Sequence, residues 1–227
     1  MVYNYGVKSV LFDYGGTLDS DGATWLERFY PIYKECGVAV PREKFDRAFY
    51  DSDDRLPARH ALKGLDLEQT LRLQVRDVLD AVAPEKSDLT GAIAGRFADE
   101  SRRHFAKLSP VLEKISRRYR LGVVSNFYGN LEGILQAEGL RAHFAVVADS
   151  GVLGVQKPDP EIFLHAARAL DSAAGECLMV GDSVPRDIKG AAAAGMKKAL
   201  VTAKAAAPDA GQDWTIRSVL ELESILA

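Results

Sequence analysis

The chain has 227 residues, of which 47% are hydrophobic and 27% charged, with a net charge of −3. This is the composition of a soluble globular protein with room for one large domain or a core and a satellite, and it supplies no overall field for drawing in nucleic acid or an anionic membrane. Cys36 and Cys177 cannot build a disulfide framework, no apolar stretch approaches a membrane span, and the run from Val7 to Phe12 is too short for a signal core and contains Lys8, so the expected location is the cytoplasm.

In chain order, the first apolar run is Val10-Leu-Phe12, which stops at Asp13. Helical periodicity then dominates: Trp25 to Glu35, Arg42 to Tyr50 with Pro41 as its starting signal, Leu67 to Val82, and Asp88 to Phe105. No convincing strand interrupts it, so residues 19–100 read as a helical insert, with 1–18 and 101–227 forming the rest. A further helix from Leu112 to Tyr119 precedes the run Leu121-Gly-Val-Val124, which stops at Ser125. Helical patterns at Asn130 to Glu138, Glu161 to Leu170 and Asp187 to Ala194 then alternate with apolar runs at Phe144 to Ala148, Leu178 to Val180 and Ala199 to Thr202. Cys177 opens the run before Gly181-Asp182 and reads as buried and inert. The Ala-rich piece from Ala203 to Ala210 reads as a surface loop.

Short Val-rich runs bounded by turn residues suit strands covered on both faces, and their alternation with helices predicts an α/β fold with a doubly wound parallel sheet. In such sheets ligands bind beyond the carboxyl ends of the strands. Asp13, Ser125 and Asp182 each follow a run directly, so three segments deliver polar side chains to one edge. Each alone could simply cap the next helix. Together with Lys157, held in a rigid Lys-Pro pair, they point to a shared site.

Four segments carry a family resemblance: Phe12-Asp-Tyr-Gly-Gly-Thr-Leu18, Val124-Ser-Asn126, Gln156-Lys-Pro-Asp-Pro160 and Val180-Gly-Asp-Ser-Val-Pro-Arg-Asp187. In this order they resemble motifs one to four of the haloacid dehalogenase-like superfamily, and the helical insert stands where that family places a cap. The resemblance implies a Rossmann-like core of residues 1–18 and 101–227 with a small helical cap of residues 19–100. It also implies a hydrolase that forms an aspartyl-phosphate at Asp13. Mg²⁺ would be held by Asp13, the carbonyl of Gly15, Asp182 and Asp187. Lys157, Ser125, the N–H of Asn126 and the turn at Gly16 would bind the phosphoryl group. Elementary electrostatics agrees, because a carboxylate can attack an anionic phosphoryl centre only if the charge is neutralised by a hard cation and a fixed ammonium. Asp187 has a second reading, as an acid favoured by a helix N-terminus. The expected substrate is a small phosphorylated metabolite, and the sequence sets no oligomeric state.

One position departs from the family. Its phosphatases usually carry a second Asp two residues after the nucleophile as general acid and base, and here that residue is Gly15. The substitution keeps three alternatives open: a phosphonate hydrolase using a cap lysine such as Lys44 or Lys63, a phosphotransferase, and a catalytically weak binding member. The family's dehalogenases lack the metal-binding Asp of motif four, so Asp182 favours phosphorus chemistry. Asp19 or Asp21 is placed to replace the missing acid, unless both belong to a polar turn. Arg55, Arg59 and His60 are candidates to contact an anionic substrate tail.

Overall fold

The computed structural model describes residues 6–204 and 207–226, so the first five positions and the middle of the expected Ala-rich loop lie outside the described residues. Strand β1 (Ser9–Phe12) is followed by a tight turn at Tyr14–Leu18 and then by four helices: α1 (Trp25–Glu35), α2 (Arg42–Arg59), α3 (Leu67–Val82) and α4 (Thr90–Ser116). The alternating half follows with β2 (Arg120–Ser125), α5 (Leu131–Ala137), β3 (Val146–Asp149), α6 (Ser150–Leu153) and α7 (Pro160–Ala169). The chain ends with β4 (Cys177–Gly181), α8 (Lys189–Ala193), β5 (Lys197–Val201), β6 (Trp214–Ile216) and α9 (Leu222–Leu226).

The strands form one parallel sheet in the order β3-β2-β1-β4-β5-β6. This is the doubly wound α/β arrangement expected from the alternation. Side chains alternate across it: Val10, Phe12, Leu121, Val123, Leu178 and Val180 enter one apolar layer, which continues into α4, α5 and α9. Leu11, Val124 and Met179 enter the opposite layer, built on α7 and α8. Cys177 lies in that second layer, where burial pushes its thiol up to about 11, so it is inert as expected.

Helices α1 and α3 span the ranges their periodicity predicts, and a reciprocal cap fixes the start of each. Thr24 pairs with Glu27, and Asp66 with Gln69. Two other expectations fail. The helices expected at Asp88 to Phe105 and Leu112 to Tyr119 are one element, α4, which runs through the boundary placed at residue 100. Pro110 lies inside this helix, where Phe105, Leu108, Leu112 and Ile115 keep one buried stripe and packing overrides the proline. Likewise α2 continues past Tyr50 and through Pro57 to Arg59, with Leu56 fully buried. Among the described residues no helix is long and apolar enough to cross a membrane.

Candidate active site

The chain winds away from β1 in both directions, through β2 to β3 and through β4 to β6, so the sheet's crevice opens at the carboxyl ends of β1, β2 and β4. Phe12 is in register with Val123 on one side and Val180 on the other. Asp13, Ser125 and Asp182 therefore emerge at one edge, and the Asp13 N–H extends the ladder to the Val180 carbonyl at 2.9 Å.

Lys157 joins the acids. Its Nζ donates to Asp13 Oδ1 at 2.6 Å and to Asp187 Oδ1 at 2.7 Å, and Ser125 Oγ donates to the same Asp13 oxygen at 3.1 Å. Lys157 is 3% exposed and Asp187 is fully buried. Burial alone would strip the lysine of its proton, but Asp13 and then Asp187 outweigh it and hold the ammonium above its ordinary range. Asn126 clamps the lysine's backbone: Oδ1 accepts the Lys157 N–H at 2.7 Å and Nδ2 donates to the Lys157 carbonyl at 3.0 Å. Asp187 is the base of the turn at Val184–Ile188 and a site residue at once, since its Oδ2 accepts the Ser183 N–H at 2.9 Å.

Asp13, Asp182 and Asp187 each bring an oxygen within 4.8 Å of the others. Three carboxylates against one ammonium leave two formal negative charges, the complement of one divalent ion. Asp182 Oδ1 is buried without a hydrogen-bond partner. Burial, and then the charges of Asp13 and Asp187, push the Asp182 carboxyl up to about 8. A buried oxygen without a donor, among hard oxygen ligands, fits Mg²⁺ or a similar cation.

The turn after Asp13 depends on Gly16, whose φ is 90°, and a Cβ there would stand 2.4 Å from Asp182 Oδ2. The Gly16 N–H donates to Asp19 Oδ1 at 2.7 Å, and the residue leaves the space that Asp182 fills. Asp19 belongs to this turn and is held there on several sides. It is buried and also accepts from Trp25 Nε1 and Arg28, each at 2.7 Å, so it is not free to swing toward Asp13. Asp21 faces His104, 3.8 Å away, and does not line the cleft. Trp25 occupies the space above Gly15, where an added Cβ would lie 3.2 Å from the indole nitrogen.

The cleft over Asp13 holds about 720 Å³ including its open mouth, and is lined by Ser125, Asn126 and Lys157 together with Phe49, Tyr50 and Asp53 of α2. Arg55, Arg59 and His60 do not line it; they pair with Asp51 and Asp77 on the helical surface. Lys44 donates to the Val82 carbonyl, and Lys63 borders a separate depression, so neither cap lysine lines this cleft.

Two contributors escaped the sequence reading. Asp149, at the end of β3, accepts the backbone N–H groups of Gly129, Leu131 and Gly151 and so shapes the loop that carries Asn126. The rule that singled out Asp13, an acid directly after an apolar run, finds it too. Asp53 of α2 lines the cleft bonded to Tyr128, and no local pattern marks it.

A family model described as "Hydrolase: haloacid dehalogenase-like hydrolase" matches residues 7–195. A Danio rerio protein named "Haloacid dehalogenase-like hydrolase domain-containing protein 3" is 39% identical over 208 residues, 87% of this chain and 86% of that protein. The bovine protein of the same name is 49% identical over only 88 residues, and the match spans about a third of that relative's length. A "Phosphoserine phosphatase" of Thermus thermophilus is 34% identical over 119 residues, 51% of this chain and 47% of that one. The solved 2-haloacid dehalogenase from Pseudomonas syringae pv. Tomato DC3000 is 25% identical, with a TM-score of 0.55, covering 97% of this chain and 98% of that one.

Proposed function

The chain belongs to the haloacid dehalogenase-like hydrolases, and from that premise we propose that it is a Mg²⁺-dependent phosphatase of a small phosphorylated metabolite. The observation that carries this reading is the Asp13–Lys157–Asp187 ion chain beside an Asp182 oxygen that lacks any donor. It is a centre built for an anion and a hard cation together. A dehalogenation site has no use for that cation.

In this mechanism Asp13, the Gly15 carbonyl, Asp182 and Asp187 would hold Mg²⁺, which would supply neutralisation of charge on the phosphoryl oxygens. Ser125 and the Asn126 N–H bind those oxygens. Lys157, fixed by Asn126 and by two carboxylates, lends a positive charge that needs no reorganisation as the reaction proceeds. An oxygen of Asp13 attacks phosphorus, the bond to the leaving oxygen breaks, and an aspartyl-phosphate forms. Water then attacks the phosphorus of that intermediate, releasing inorganic phosphate and restoring Asp13. Residues 19–100 act as the cap, with α2 covering the cleft and limiting it to small substrates. The phosphonate alternative loses support, since it needs a lysine from the cap and neither Lys44 nor Lys63 lines the cleft.

Phosphate release from a panel of phosphoesters, acyl phosphates and phosphonates tests the reading. Turnover should require Mg²⁺, stop on chelation, and disappear in Asp13→Asn with the fold intact. Full activity in thoroughly metal-stripped protein would instead favour dehalogenase-like chemistry.

A further inference from the structure

The cleft needs a proton donor that its first loop lacks. Gly15 has no side chain, Asp19 is held by three donors, and Asp21 lies outside the cleft. Asp13 and Asp53 are the carboxyl groups among the described residues that line it. Asp53 reaches it from α2. The hydroxyl of Tyr128 and, at 3.2 Å, Nε2 of Gln74 both donate to its Oδ1. Among the described residues no donor reaches Oδ2, so that oxygen is the place for an exchangeable proton.

Resting on the phosphatase reading above, we propose that Asp53 is the acid and base of this cleft, replacing the carboxyl missing at Gly15. In the first half-reaction Oδ2–H of Asp53 gives its proton to the departing alkoxide as Asp13 takes the phosphoryl group, leaving an alcohol and an Asp53 carboxylate. In the second, that carboxylate takes a proton from the water attacking phosphorus, inorganic phosphate leaves, and Asp53 regains its proton. The two donors on Oδ1 have an acceptor in both states, a carbonyl oxygen in the acid and a stronger one in the carboxylate. Burial raises the Asp53 carboxyl above its ordinary range, opposed by the Tyr128 bond, aided by Asp54, and opposed again by Arg186 and Gln74.

A general acid matters most for poor leaving groups, where it is worth ~10²–10⁴-fold. The test compares single-turnover release of the leaving group from an alkyl phosphate and an aryl phosphate, in wild type and in Asp53→Asn. The amide keeps an acceptor for Tyr128 and Gln74, which preserves the local packing. The aryl-to-alkyl rate ratio should rise ~10²-fold in the variant. In wild type, rates across leaving groups of graded acidity should vary only shallowly. A parallel fall on both substrates would make Asp53 a binding or positioning residue and overturn the proposal, as would an unchanged ratio or a steep dependence in wild type. If wild type releases phosphate from neither series, the phosphatase reading falls and this inference with it. Release with an unchanged ratio overturns this inference alone.

Discussion

At the scale of single residues, the loop after Asp13 is organised around an indole. Trp25 covers Gly15 and is tied by Nε1 to Asp19, a part-buried hydrogen bond that resists its moving aside. Restoring the family's usual acid by Gly15→Asp should therefore crowd the loop, at a cost of ~1–3 kcal/mol. Hydrolysis of alkyl phosphates should not accelerate. Thermal unfolding and turnover of this variant, alone and combined with Trp25→Ala, check the point: the second change should relieve the crowding. A neutral, faster Gly15→Asp would mean that the indole yields and that the loop accepts an acid after all. The residues around Asp13 were legible because each follows an apolar run or stands in a contiguous motif. Asp53 was not, because its partners Gln74 and Tyr128 are 21 and 75 residues away. The fate of Asp19 was equally hidden, since a polar Asp-Ser-Asp-Gly stretch gives no sign that its first carboxylate is buried.

At the scale of elements, Asp19 and Arg28 tie the nucleophile's loop to the helices. Arg28 bonds Asp19 at 2.7 Å, Ser101 Oγ at 2.9 Å and the Phe97 carbonyl, and stacks over the Phe97 ring, so β1's loop, α1 and α4 meet at one guanidinium. Both side chains are nearly or fully buried. Removing one partner of such a pair leaves an uncompensated charge, so Asp19→Ala should lose ~3–5 kcal/mol in denaturant unfolding. Adding Arg28→Met should recover part of that loss. A loss under about 1 kcal/mol for the single variant would mean that Arg28 finds water or another acceptor. Helix ends followed the same logic of visible and invisible causes. The caps at Thr24 and Asp66 are local and readable, whereas the continuity of α4 through Pro110 rests on a buried stripe that only the tertiary core enforces. Strand β6 is three residues long and one of them is Thr, too little alternation to stand out.

For the whole molecule, the sheet edge and the helical stretch line one cleft. The sheet's carboxyl edge brings Asp13, the proposed nucleophile, with Ser125 and Lys157, and the helical stretch brings Trp25 and Asp53. The fold class followed from the alternation of runs and helices because a parallel sheet buries both faces and so advertises its strands. The partition of labour did not, since it depends on where α2 comes to rest. One covalent event decides between the proposed chemistry and its rivals. Wild-type protein turning over an acyl or aryl phosphate with Mg²⁺, quenched in acid and mapped by peptide mass spectrometry, should carry one phosphoryl group on the peptide containing Asp13, and Asp13→Asn should carry none. Sustained turnover with no phosphoryl group on Asp13, or undiminished phosphate release by Asp13→Asn, would contradict it.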